Sequence, residues 1–129
     1  MITSQFILDI FDLALRDGRA NEFYTKQVQF LEIIEDTHTG MGRFIYFKLN
    51  NDALIEASKI INLEDELYGF CDVEIINKKL GVAADVLLWV TDDIIDNIEI
   101  FNKVGTDYPL QEFENYEMIN NQYELTIIR

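Results

Sequence analysis

Hydrophobic and polar positions along the chain change period several times, and each change marks an element. Near the start, Phe6, Ile10, Leu13 and Ala14 recur at helical spacing, with Ile7 and Phe11 beside them. This predicts a helix over about residues 4–17, capped by Thr3 or Ser4 and stopped by Gly18 in a left-handed conformation. The period then shortens. Gln27 to Asp36 and Arg43 to Leu49 are rich in β-branched and aromatic residues, and Thr37 to Gly42 lies between them. A hairpin is expected there, with Gly40 and Gly42 free to take positive φ.

Residues 50–68 return to helical spacing through Leu54, Ala57 and Ile61, with Asn51 or Asp52 as cap. Phe70 to Lys79 alternates around Val73 and Ile75 and predicts a strand. Asp85 to Thr91 is almost wholly apolar, which predicts a central strand covered on both faces, with Trp89 buried. Ile94 to Asn102 should be its hairpin partner across Asp92-Asp93. Gly is favoured at the second position of such a turn, so Asp93 implies a strained or longer connection. Gly105 to Pro109 forms a loop, and Tyr123 to Ile128 supplies a last strand. The expected fold class is α+β: a mostly antiparallel sheet of about five or six strands, with an N-terminal helix and a second short helix packed on one face.

Composition narrows the picture. The 129 residues fit a single domain, and 49% are hydrophobic, enough for a core without staples. Cys71 is the sole cysteine, so no internal disulfide forms. The first residues lack a basic segment and carry Asp9 and Asp12 within the apolar stretch, unlike a signal peptide. With no membrane-length apolar run, the expectation is a cytoplasmic protein.

Acids outnumber bases 24 to 10, for a net charge of −14. Such a charge repels phosphate backbones and anionic membranes and favours a basic partner. Residues 80–129 hold ten acids against Lys103 and Arg129, a net −8. Candidate partner-binding acids are Asp92, Asp93 and Asp96 around the hairpin tip, then Glu112, Glu114 and Glu117, interleaved with Tyr108, Phe113, Tyr116 and Tyr123.

Catalytic and metal chemistry is thin by comparison. Cys71 and His38 are the lone members of their kinds, one in a strand pattern and one in a turn. Zinc needs several such ligands at short spacing. The acid clusters at Asp92, Asp93, Asp96 and Glu99 and at Glu64 to Glu66 lack a calcium-loop pattern and suit a solvated face. No Gly-rich phosphate loop is present, and no catalytic, metal or cofactor residue is assigned.

Thr39-Gly40-Met41-Gly42-Arg43-Phe44 resembles a "TGxGxF" hairpin, and Asp85 to Phe101, with Gly105 and Pro109 after it, resembles a second hairpin followed by a Gly- and Pro-containing loop. Over about residues 37–109 the chain is similar to small acidic bacterial proteins that serve as immunity proteins or neighbour polymorphic toxins. It departs from them at Asp93, where Gly is usual. The resemblance implies a non-enzymatic protein that protects the cytosol from a toxin, often a nuclease, by covering its basic active site. Two alternatives stand beside it: a carboxylate-based enzyme or metal-dependent hydrolase, and a structural or regulatory module that dimerises through an exposed strand edge.

Overall fold

The computed structural model describes residues 1–16, 21–51, 67–105 and 107–129. They form two α-helices and one seven-stranded antiparallel sheet, with a short 3₁₀ turn. The fold is α+β and mostly sheet, with one or two more strands than the pattern alone implied.

Helix α1 spans Gln5–Ala14. Ser4 caps it by accepting the Ile7 amide at 3.1 Å, which satisfies one of the donors a helix start leaves unpaired. The expected stop at Gly18 and the helix expected over residues 50–68 fall largely outside the described residues. A second helix lies earlier in the chain, where α2 spans Asn21–Val28. The run from Gln27 to Asp36 therefore splits: its first residues end α2, and β1 is Leu31–His38. Ile33 and Ile34 of that run sit within the strand, while Gln27 and Val28 close the helix.

Strand β2 (Gly42–Leu49) pairs with β1 and β5. Strands β3 (Leu67–Asn77), β4 (Val82–Thr91) and β5 (Ile94–Asn102) follow. Two short strands, β6 (Glu117–Asn120) and β7 (Leu125–Ile128), complete the set. The spatial order is β1-β2-β5-β4-β3-β6-β7, which places β4 at the centre and leaves β1 and β7 as edges.

Two glycine-related expectations resolve differently from their premises. The Asp92-Asp93 turn is two residues long, with φ of 50° and 63° at the two positions. Both lie in the left-handed region, as a primed hairpin turn requires, and Asp tolerates that region better than most residues. Gly42 is instead needed for closeness. A Cβ there would sit 1.7 Å from the Ile100 carbonyl oxygen, so β2 and β5 meet at a point that excludes a side chain.

The core lies between α1 and one face of the sheet. Ile10, Leu31, Ile45, Ile75, Leu88, Ile95 and Ile98 are wholly buried there. Strand β4 alternates strictly: Val82, Ala84, Val86, Leu88 and Val90 are buried, while Ala83, Asp85, Leu87 and Trp89 are half-buried. Trp89 thus stands on the central strand but on its outer face, contrary to the expectation of burial on both faces. The two-residue side-chain period of a strand decides this, whatever the hydrophobicity of the intervening positions.

Candidate interaction surface

The six acids expected to bind a partner do not form one surface. Asp92 is exposed at the tip of the β4–β5 hairpin. Asp93, beside it, is buried, because its carbonyl is drawn under α2 by a 2.8 Å hydrogen bond from Gln27 Nε2. Its carboxylate is therefore not presented as the tip expectation required. Asp96 is the extra residue at an irregularity in β5, between the pairs Val90–Ile95 and Trp89–Asn97, and is half-buried.

Glu112, Glu114 and Glu117 lie at the opposite end of the sheet. Gly42 pairs with Phe101 at the far end of β5, and Arg43 next to it holds Glu112. The nine residues of β5, about 27–30 Å of strand, separate the two groups. Glu112 serves structure: Arg43 donates to it at 2.9 Å, and Ser4 donates to its other oxygen at 2.7 Å. Glu114 is exposed and Glu117 half-buried. The nearby aromatics turn inward: Phe113 and Tyr116 pack edge-on against Phe6, and Tyr108 lies tilted against Phe113.

Arg43 is the hub of that end. Its side chain is 4% exposed and grips Asp36 through two hydrogen bonds of 2.7 and 2.8 Å. Burial opposes the guanidinium charge, but Asp36 and Glu112 outweigh it and raise its pKa further. In return, the Arg43 hydrogen bonds hold the Asp36 carboxyl below the usual carboxylate range. Carboxylates that converge here do so on a neutralising arginine, which leaves no free acid–base pair. His38 Nδ1 lies 3.1 Å from the Pro109 carbonyl, and its ring packs near Tyr108. Cys71 is on β3, four strand positions from β1, which carries His38. Among the described residues no three His, Cys, Asp or Glu side chains gather as a metal site needs. No helix among them is long and apolar enough to cross a membrane.

A second buried carboxylate anchors the two ends of the chain. Asp9 accepts hydrogen bonds from Gln5, Tyr116 and Arg129 at 2.7 to 2.9 Å. Burial pushes its pKa up, yet these donors together bring it below the ordinary value. Tyr116 is shifted upward by burial and by that carboxylate.

Among the described residues no helix covers the outer face of the sheet, which sequence reasoning treated as a buried side of β4. Strand pairing sets Phe44 beside Glu99 and Leu87, Tyr46 beside Asn97 and Trp89, and Phe101 beside Asp85 and Glu74. Trp89 donates its indole N–H to Glu99 at 3.3 Å. Phe101 is 47% exposed. Lys103 reaches this face and is held by Glu74 and, at 3.1 Å, by Asp85, which raises its pKa. Aromatic and apolar side chains here alternate with acids across four strands, β2, β5, β4 and β3. The signal in the sequence was parity: within an apolar run, every second residue of a strand faces away from the helix. No protein-family model, curated protein or solved structure matches this chain.

Proposed function

We propose that this protein is a non-enzymatic binding module that takes a basic protein partner on the outer face of its sheet. The observation that carries the proposal is the interleaving of Phe44, Tyr46, Leu87, Trp89 and Phe101 with Glu99, Asp85 and Glu74 on one surface. Aromatic side chains supply contact area at low entropic cost, and carboxylates around them select Lys and Arg. Both described helices pack on the other face, through hydrogen bonds such as those from Asn120 Nδ2 to the Leu13 carbonyl at 2.8 Å and from the Ile95 amide to Gln27 Oε1 at 3.0 Å. The net charge of −14 adds long-range attraction that accelerates encounter with a cationic surface.

Within that class the partner we propose is a toxin with a phosphate-binding active site, such as a nuclease, for which this chain acts as the immunity protein. A site built to hold a polyanion is lined with Lys and Arg, and an acidic, aromatic-studded sheet complements it. Asp92 and Asp96 extend the acidic surface toward the hairpin tip, whereas Glu112 belongs to the Arg43 network.

The test is to isolate the partner by co-purification from the native cell and measure association rates for wild type, Trp89→Ala and Glu99→Lys at two salt concentrations. Association slowed by salt and weakened by both substitutions supports the proposal, since screening shortens the reach of such attraction to about 8–10 Å near physiological ionic strength. Unchanged binding in both variants removes the outer face from the interface.

A further inference from the structure

The edge strand β1 is exposed along most of its length. Every residue from Ile33 to Thr37 is exposed, on both faces of the strand, and no described strand lies beyond it. Ile33 is 40% and Ile34 61% exposed. The pairing with β2 shifts between Ile33 and Glu35, so Ile34 is an extra residue at a bulge. Glu32 and Glu35 flank the two isoleucines. An open strand edge carries unpaired backbone N–H and C=O groups, which template the addition of another strand. The apolar pair gives such a strand something to bury.

A second copy of this chain is a poor occupant. Antiparallel self-pairing centred between Ile33 and Ile34 sets Glu32 of each copy opposite Glu35 of the other, and like charges placed directly opposite destabilise a strand pair. Two bodies of net −14 also repel at long range. Reverse the sign of the incoming residues and both objections become attractions. We infer that β1 is an acceptor edge for an extended segment of a partner protein, in which Lys or Arg residues flank one or two apolar residues. Backbone pairing with β1 supplies the affinity, the isoleucine pair fixes the register, and Glu32 and Glu35 select the charge. The inference rests on the proposal that the partner is basic, but not on the partner touching the outer face.

A defined probe tests it: the capped octapeptide Lys-Val-Arg-Ile-Lys-Val-Arg-Thr, one residue for each position of β1. Two controls accompany it, one with Glu at every Lys and Arg, the other with Pro in place of Val and Ile. Backbone amide resonances of the isotope-labelled protein are followed during titration, together with amide exchange. The expected result is saturable shifts and slowed exchange at residues 31–38 with the basic peptide, and neither with the two controls. A Glu32→Gln, Glu35→Gln double variant should bind the basic peptide roughly fivefold to tenfold more weakly at an unchanged melting temperature. Equal binding by the proline peptide reduces the effect to ion attraction and overturns strand addition, as does the absence of saturable change up to ~1 mM. Shifts centred on the Trp89 indole, with β1 unmoved, place basic segments on the outer face and likewise overturn it. A wild-type dimer that Ile34→Lys dissolves assigns the edge to a second copy. Failure of the outer-face proposal appears elsewhere, in the Trp89→Ala and Glu99→Lys association rates, so the two are separable.

Discussion

Gln27 ties α2 to the central hairpin through both ends of its amide. It is fully buried, donating from Nε2 to the Asp93 carbonyl at 2.8 Å and accepting the Ile95 amide at Oε1 at 3.0 Å. Gln27→Met keeps most of the volume while removing both bonds, stranding one buried acceptor and one buried donor. Each unmade buried bond costs about 1–3 kcal/mol, so the variant should lose about 2–6 kcal/mol. That is a large share of the roughly 5–15 kcal/mol by which domains of this kind are stable. In urea the midpoint should fall with the slope unchanged, and the melting temperature should drop by about 3–5 °C per kcal/mol. Gln27→Ala is the companion variant, because the space it opens admits a water able to rebond both groups. Amide exchange at Ile95 should accelerate in the Met variant. If both variants lose less than about 1 kcal/mol and Ile95 stays protected, the amide bridge does not hold the hairpin to the helix, and the account of why Asp93 is buried fails.

Other outcomes follow from the same physics. Asp92→Ala should cost about 0.5–1 kcal/mol, because Ala lacks the short polar side chain that eases a φ of 50°, whereas Asp92→Asn should cost nothing measurable in the same denaturation assay. Gly42→Ala should destabilise by about 2 kcal/mol or more, since its Cβ meets a backbone oxygen that has no rotamer to change. Arg43→Met should lose about 1–3 kcal/mol, because Asp36 and Glu112 lose their partner but stay partly open to water, and Arg43→Lys should recover part of that without the two-point grip on Asp36. Asp9 and Asp36 have folded pKa values depressed below their unfolded ones, so their contribution is fully present above about pH 4 and is lost as pH falls through the folded values. Stability measured from pH 5 down to pH 2 should therefore decline, and less steeply in Asp36→Asn.

The fold was legible where periodicity is clean. Strand β5 begins and ends where Ile94 and Asn102 suggest, and β2 differs from expectation by a single residue. Legibility fails for three physical reasons. Strand β6 has four residues, too few to establish a period, and pairing with β3 holds it in place. The boundary between α2 and β1 runs through one β-rich segment, where local propensity yields to the docking of Gln27. The run from Val86 to Val90 hides its alternation because the outward positions Leu87 and Trp89 are as apolar as the inward ones, and that concealed the candidate surface. The Arg43 and Asp9 networks join residues tens to more than a hundred positions apart, which no local pattern encodes.

That separation bears on how the chain acquires its structure. Asp9 meets Tyr116 and Arg129 across 107 and 120 positions, and Leu13 meets Asn120 across 107. A sheet ordered so that β1 and β2 flank β5 and β4 adds further distant pairings. High contact order slows folding, toward the millisecond-to-second range for domains dominated by non-local pairs. During synthesis the stripe of Phe6, Ile10 and Leu13 is made before its cover in β3 and β6, which follows tens to more than a hundred residues later. The nascent chain must carry an unburied apolar helix until those strands emerge, an interval in which its negative charge disfavours association with neighbouring copies.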